Sequence, residues 1–272
     1  MSYLTKHHTT AGARWASDGH LLPVDFELGR LLELPAAGMA ADLAAAGAGA
    51  PADGTWLAPL DVTTEVWAAG VTYLRSREAR EAESSVKDVY SKVYEAERPE
   101  IFFKAIGWRV AGHGMPIRIR ADSHWNVPEP ELTLVINSRG EIAGYCAGND
   151  VSSRDIEGEN PLYLPQAKVY NGSCALGPGI MLCGADRLQD LPVSLAVARA
   201  GRRIVEGATR TSQLKRRLQD LAGYLGRELA FPRGVLLMTG TGIVPPDGFS
   251  LQHGDVVQVT VGDLVLENEI GP

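Results

Sequence analysis

Paired cysteines, long apolar runs and an excess of positive charge are all missing from this 272-residue chain, and each absence removes a class of protein. Cysteine occurs only at Cys146, Cys174 and Cys183, an odd number with no Cys-x-x-Cys pair. A disulfide framework and a thiolate zinc site are thereby excluded, and a reducing compartment fits. No run of about 18 apolar residues could span a bilayer, and the opening MSYLTKHHTTAGARW carries no apolar core of export-signal type. A soluble, cytoplasmic protein is expected. Lys and Arg number 26 against 33 Asp and Glu, a net charge of −7, so neither a nucleic acid nor an anionic membrane is an expected partner. The one basic cluster, KRRLQ from Lys215, reads as the solvated face of a helix.

What is present is globular. The chain is 45% hydrophobic and 22% charged, and its length allows a sizeable core. Residues 1–60 contain the Ala/Gly stretch LPAAGMAADLAAAGAGAPADG, ending in a turn signal, and read as a small N-terminal domain. Residues 61–272 read as the main core. EVWAAGVTY from Glu65 has the look of a short buried strand, and the densely charged LRSREAREAESSVKDVYSKVYEAERPE after it that of a solvated helix or lid. From Ile101 strand signals dominate: IFFKAIG, PIRIR, ELTLVIN, EIAGYCAGNDV, GIMLCG, VSLAVARAGRRIV, GVLLMTGTG and DVVQVTVGDL. Leu214, Leu218, Leu221, Leu225 and Leu229 recur at helical spacing behind TRTS, which predicts one helix laying an apolar face on the sheet. Strands do not alternate with long helices, so the fold class is α+β, mixed and mostly β, rather than a doubly wound parallel sheet.

The chemistry concentrates at SHWNVPEPEL, residues 123–132. Glu129 and Glu131 are two apart, so an extended backbone projects both from one face, and Pro128 and Pro130 favour that extended state. The following ELTLVINSRGEIAGYCAGNDV reads as a hairpin turning at Ser138-Arg139-Gly140, and counting back across it sets Glu129 opposite residues 148–150, which returns Asp150 to the two glutamates. Three converging carboxylates repel unless a cation or proton compensates them, and all-oxygen ligation suits Mg²⁺ or Mn²⁺. A solvated glutamate pair at a strand start is the alternative on spacing alone; the third acid favours the metal. Lys168 stands among apolar and aromatic residues, where desolvation or a metal would lower its pKa and make it a base or a carboxylate clamp; a surface lysine is the other reading. TGTG at 239–242 offers N–H groups and hydroxyls to an anion, or else forms a tight turn.

The residues PEPEL (128–132), GNDVSSRDIEGE (148–159), QAKVYNGSCALGPG (166–179), IFFK (101–104) and MTGTGIV through LQHGDVV (238–257) resemble the fumarylacetoacetate hydrolase superfamily. The resemblance runs in order over about residues 65–270. It implies a β-roll core of the fumarylacetoacetase C-terminal type with a small N-terminal domain, assembled as a homodimer or larger homo-oligomer. It also implies metal ligation by Glu129, Glu131 and Asp150, an active-site Lys168, and a 2-oxo acid substrate whose developing oxyanion the metal stabilises. Members that cleave carbon–carbon bonds carry a segment resembling G-x-N-Y-x-x-H-x-x-E; here GVTYLRSREAREAE puts Ser76 and Ala79 where the His and Glu would stand, and the nearest substitute, His124, reads equally as a strand-end residue.

The longer match of DSHWNVPEPEL with GNDVSSRDIEGENPLYLPQAK is most similar to the branch that dehydrates 2-keto-3-deoxy sugar acids. A 2-keto-3-deoxy-pentonate would then lose water to give 2-oxoglutarate semialdehyde. On this reading Lys168 or a lid carboxylate takes the C3 proton and Glu78 or Glu81 assists the leaving hydroxyl, while Ser76, Arg77, Lys104 and Thr241 hold the substrate. An acylpyruvate-type hydrolase, an oxaloacetate decarboxylase and a non-catalytic metal-stabilised binding protein are the competing expectations.

Overall fold

The computed structural model describes residues 2–47, 49–83 and 87–272. Strands Pro130–Ile136 and Ile142–Asp150 are buried along their whole length, so both faces of the sheet they share must be covered. With side chains alternating from face to face, Leu132, Leu134 and Ile136 enter one apolar cluster and Val135 another.

That sheet has ten strands. From one edge the order is His20–Leu21, Gly12–Ser17, Tyr3–Thr9, Cys174–Leu182, Ile142–Asp150, Pro130–Ile136, Val235–Met238, Glu65–Gly70 and Glu100–Ile106, with Thr55–Leu57 paired to Tyr3–Thr9. Every pairing is antiparallel except Val235–Met238 with Glu65–Gly70. A second antiparallel sheet, ordered Arg202–Arg210, Pro192–Arg199, Val256–Val261 and Leu264–Glu269, supplies Val193, Leu195, Val257 and Leu266 to the first cluster. Helices Leu28–Leu31 and Ala36–Ala45 cover the opposite face with Leu28, Leu31, Met39 and Leu43. The fold is thus mixed α and β with a predominantly β core, as the strand signals predict. Residues before Leu60 contribute strands to the same sheet, because Tyr3–Thr9 bonds to Cys174–Leu182.

Three local expectations fail for reasons of tertiary contact. PIRIR makes only a single bridge, Ile117 with Ile270, instead of a strand. The leucine helix shrinks to Leu218–Leu225, because Leu214 is drawn into a bridge with Tyr73 and Leu229 is left exposed. The charged segment becomes two helices, Leu74–Glu83 and Lys87–Glu95, but the first buries Ser76, Ala79 and Arg80, so it is not a fully solvated helix. Among the described residues no helix is long and apolar enough to cross a membrane, and all three cysteines are free.

Candidate active site

The hairpin register brings the three acids together. Pro130 pairs with Asn149 and Glu131 with Gly148, and the Asp150 N–H donates to the Glu129 carbonyl at 3.0 Å. Glu129, Glu131 and Asp150 are buried, and one carboxylate oxygen from each lies within 4.8 Å of the others. Asn149 Oδ1 accepts from the Glu129 N–H at 3.1 Å, which fixes the backbone that aims the first carboxylate.

Cationic side chains surround them. Lys168 Nζ donates to Glu129 Oε2 (2.7 Å), Asp150 Oδ2 (3.1 Å) and Ser152 Oγ (2.5 Å). Arg80 Nη2 donates to Glu129 Oε1 at 2.8 Å, and its Nη1 lies 3.1 Å from Glu157 Oε2. Arg154 reaches the same Glu129 oxygen from Nη2 at 3.0 Å and donates from Nη1 to Glu83 at 2.5 Å. Lys104 Nζ lies 2.5 Å from Asp150 Oδ1 and donates to the carbonyls of Lys168 (2.5 Å) and Val151 (3.1 Å).

This arrangement divides the carboxylates electrostatically. Burial alone would raise Glu129, but Lys168, Arg80 and Arg154 hold it well below the usual carboxylate range. Glu131 goes the other way: burial and the charges of Asp150 and Glu129 push it well above, opposed by the charge of Lys168 and by the Gly240 N–H that donates to it at 2.7 Å. Burial, followed by the charge of Glu157, pushes Glu100 up to about 7. Lys168 feels burial pulling its ammonium down, but the charges of Asp150 and Glu129 outweigh it and its pKa is raised, the reverse of the lowered value its neighbours in sequence imply.

A divalent cation fits this set. Glu83, Glu100, Glu129, Glu131, Asp150 and Glu157 meet Arg80, Lys104, Arg154 and Lys168, leaving two negative charges over. The two carboxyls pushed upward, Glu131 and Glu100, are the groups that hold protons when nothing else compensates that excess. The clustered donors are all carboxylate oxygens, the ligand type of Mg²⁺.

A cavity of about 10 Å³, room for one water, opens on the acids. Ser76, Lys168 and Thr241 line it as expected, together with Arg80, Glu100, Phe102 and Glu157. Four expected residues do not reach it. Glu78 is exposed, because the inward stripe of its helix runs through Ser76, Ala79 and Arg80. Glu81 and Arg77 pair with each other at 3.6 Å, and Arg77 also stacks over Tyr94. Lys104 is fully buried and spends its ammonium on Asp150 and two carbonyls, so it shapes the ligand set from behind and has no donor left for a substrate. His124 is exposed, with Nδ1 2.9 Å from Asp155, and does not replace the missing histidine. The TGTG segment turns inward to the protein: Gly240, at φ 91°, donates to Glu131, and a side chain there would collide with Thr72.

Sequence reasoning missed Arg80, Arg154, Glu100 and Glu157. Arg154 lies within the quoted GNDVSSRDIEGE, and Glu100 one residue before IFFK. The placement of Glu100 shows only in the fold, where its carboxylate lies at the position a Cβ on Gly70 would take.

A family model described as fumarylacetoacetate (FAA) hydrolase C-terminal matches residues 65–271. A probable 2-keto-3-deoxyxylonate dehydratase of Haloferax volcanii is 49% identical over 214 residues, covering 78% of this chain and 73% of that protein. A 2-dehydro-3-deoxy-D-arabinonate dehydratase of Saccharolobus solfataricus is 44% identical over 214 residues, covering 76% and 70%. The solved structure of a 2-keto-3-deoxy-D-arabinonate dehydratase complexed with magnesium and 2,5-dioxopentanoate superposes with a TM-score of 0.82 at 33% identity, covering 99% of this chain and 98% of that one.

Proposed function

The chain belongs to the fumarylacetoacetate hydrolase family, and from that membership we propose that it is a magnesium-dependent hydro-lyase that removes water from a 2-keto-3-deoxy-pentonate to give 2,5-dioxopentanoate. The observation that carries the reading is the buried cluster of Glu129, Glu131 and Asp150, facing Glu100 across a cavity in a chain without a histidine at the site. Mg²⁺ held by the three carboxylates would act as a Lewis acid on the 2-oxo and carboxylate oxygens of the substrate.

Proton movement falls to Glu100. Burial and the charge of Glu157 lift its pKa to about 7 before any cation is bound, so it is well placed both to take the C3 proton as a carboxylate and, once protonated, to return that proton to the departing C4 hydroxyl, and one group serves both halves of the elimination. Lys168 stays charged and fixes Glu129 and Asp150 while presenting positive charge to the reacting oxygens. Ser76 and Thr241 offer hydroxyls from two sides of the cavity. A five-carbon acid does not fit into the space of one water, so Arg80 and the helix that carries it have to move outward to admit it. All these residues fall within 61–272, the segment we assign to catalysis.

We further place the enzyme in the cytoplasm, supported by its three free cysteines, and read it as a homodimer, with the exposed Trp108 and Val62 side by side as an apolar patch for the partner subunit. Incubation with 2-keto-3-deoxy-pentonate and Mg²⁺ tests the activity: semialdehyde is expected, and pyruvate released from an acylpyruvate with no semialdehyde would favour hydrolysis instead.

A further inference from the structure

Beside the small cavity lies a second, larger one that the proposed substrate does not need. It holds about 290 Å³ and opens beneath helix Lys87–Glu95. Val89, Tyr90, Val93, Pro99, Pro161 and Leu164 give it a mostly apolar wall, to which Arg98, stacked over Tyr224, adds one cationic side chain. Glu100, Glu157 and Leu164 line both spaces, so the two are neighbours across a partition of two carboxyls and one leucine. Arg80 stands on the metal side of that partition, paired to Glu157.

We infer that the larger chamber is a binding subsite for the aliphatic tail of a 2-oxo acid whose head lies at the carboxylate cluster, so that the enzyme takes longer, less hydroxylated 2-oxo acids than a pentonate. The inference rests on the proposed function only in taking the cluster as the site of the 2-oxo acid head. Polarity changes along the path from one space to the other. Near the acids, Glu100 and Glu157 can accept hydrogen bonds from hydroxyls close to the reacting carbons. Beyond them Val89, Val93, Pro99, Pro161 and Leu164 make most of the wall apolar, with polar groups only on Tyr90 and Arg98, so a hydroxylated chain would leave most of its polar groups unpaired there. A five-carbon acid ends near the partition, whereas a chain several methylenes longer reaches the apolar wall and buries those methylenes. The outward movement of Arg80 that admits any substrate also frees its partner Glu157, one of the three residues that separate the two spaces, and so lets them join.

Calorimetric titration of the Mg²⁺-loaded protein with straight-chain 2-oxo acids from 2-oxobutyrate to 2-oxooctanoate tests this. Affinity is expected to rise about fourfold per added methylene until the chamber is filled. Val93→Trp, which fills the chamber from its helix, is expected to remove the advantage of the longer acids over 2-oxobutyrate. A series that is flat in the parent protein, or a length dependence that survives in folded Val93→Trp, overturns the inference; the parent series decides the matter if the variant does not fold. The two readings fail separately. Turnover of 2-keto-3-deoxy-pentonate with a flat series removes the chamber and leaves the dehydratase, while a rising series without such turnover supports the chamber and removes the dehydratase.

Discussion

Arg80 donates from Nη2 to Glu129 Oε1 at 2.8 Å, a buried ion pair that ties a helix outside the carboxylate motif to one of the three clustered acids. The same guanidinium lies 3.1 Å from Glu157, so the helix Leu74–Glu83 is held down by two acids, one of which, Glu129, a divalent cation would also engage. Loading of the site and closure of the helix are therefore coupled.

Replacing Arg80 exposes that coupling. Arg80→Met leaves Glu129 and Glu157 short of one buried cation, which is expected to cost about 3–5 kcal/mol in chelator-treated protein. Mg²⁺ then recovers more stability in the variant than in the parent. Thermal melts with EDTA and with Mg²⁺ check it; equal Mg²⁺ increments in both proteins would show that Arg80 and the cation do not share Glu129.

Glu131→Gln is expected to act in opposite directions with and without metal. In the folded protein Glu131 holds its proton to a pH well above its ordinary value, so the native state binds more protons than the unfolded chain over that interval. Its contribution to stability therefore declines as pH rises from the ordinary carboxylate range to the raised value. Glutamine removes the decline. At pH 8 in EDTA the variant is expected to be more stable than the parent, and to gain nothing from Mg²⁺. Urea unfolding at pH 5 and pH 8 measures both effects, and a variant less stable than the parent in EDTA at pH 8 would contradict the assignment.

The rate should follow the ionisation of Glu100. As the base it must be a carboxylate, so kcat is expected to fall about tenfold per pH unit below the pKa of Glu100 and to level off above it; that pKa is about 7 without metal and lower once Mg²⁺ supplies the compensating charge. Glu100→Gln is expected to lower kcat by about 10²–10⁴-fold while Mg²⁺ affinity, read by calorimetry, changes little. A profile with no acid limb anywhere in the pH range where the Mg²⁺-loaded enzyme stays folded would move proton transfer to another group.

Lys104 separates support from substrate contact. Lys104→Met strips Asp150 Oδ1 and two carbonyls of their buried partner and is expected to destabilise the protein by about 3–5 kcal/mol. Denaturant unfolding checks it. A variant of unchanged stability with a raised KM would return Lys104 to the substrate-binding role its sequence context suggests.

The parts of the site that the sequence made legible are those set by local rules. Glu129 and Glu131 share a face because strand side chains alternate, and Asp150 meets them because a short turn fixes the hairpin register. The family motifs supplied Lys168. What stayed hidden depends on burial of charge. Nothing in LRSREAREAE distinguishes Arg80, which turns inward, from Glu78, which turns out, until the helix is docked against Glu129 and Glu157. Glu100 owes its raised pKa first to burial and then to Glu157, 57 residues away, and no periodicity reports either. The leucine helix failed for the same kind of reason: Arg216 donates to the carbonyls of Val93, Ala96 and Glu97, and these contacts hold the preceding turn in a non-helical path.

The most direct test of the whole account is a proton NMR time course of 2-keto-3-deoxy-pentonate with the parent protein and Glu131→Gln, each with Mg²⁺ and with EDTA. 2,5-Dioxopentanoate is expected to accumulate only with the parent protein and Mg²⁺. Conversion that persists in EDTA or in Glu131→Gln, or a sugar acid that stays intact beside correctly folded, Mg²⁺-loaded parent protein, would contradict it.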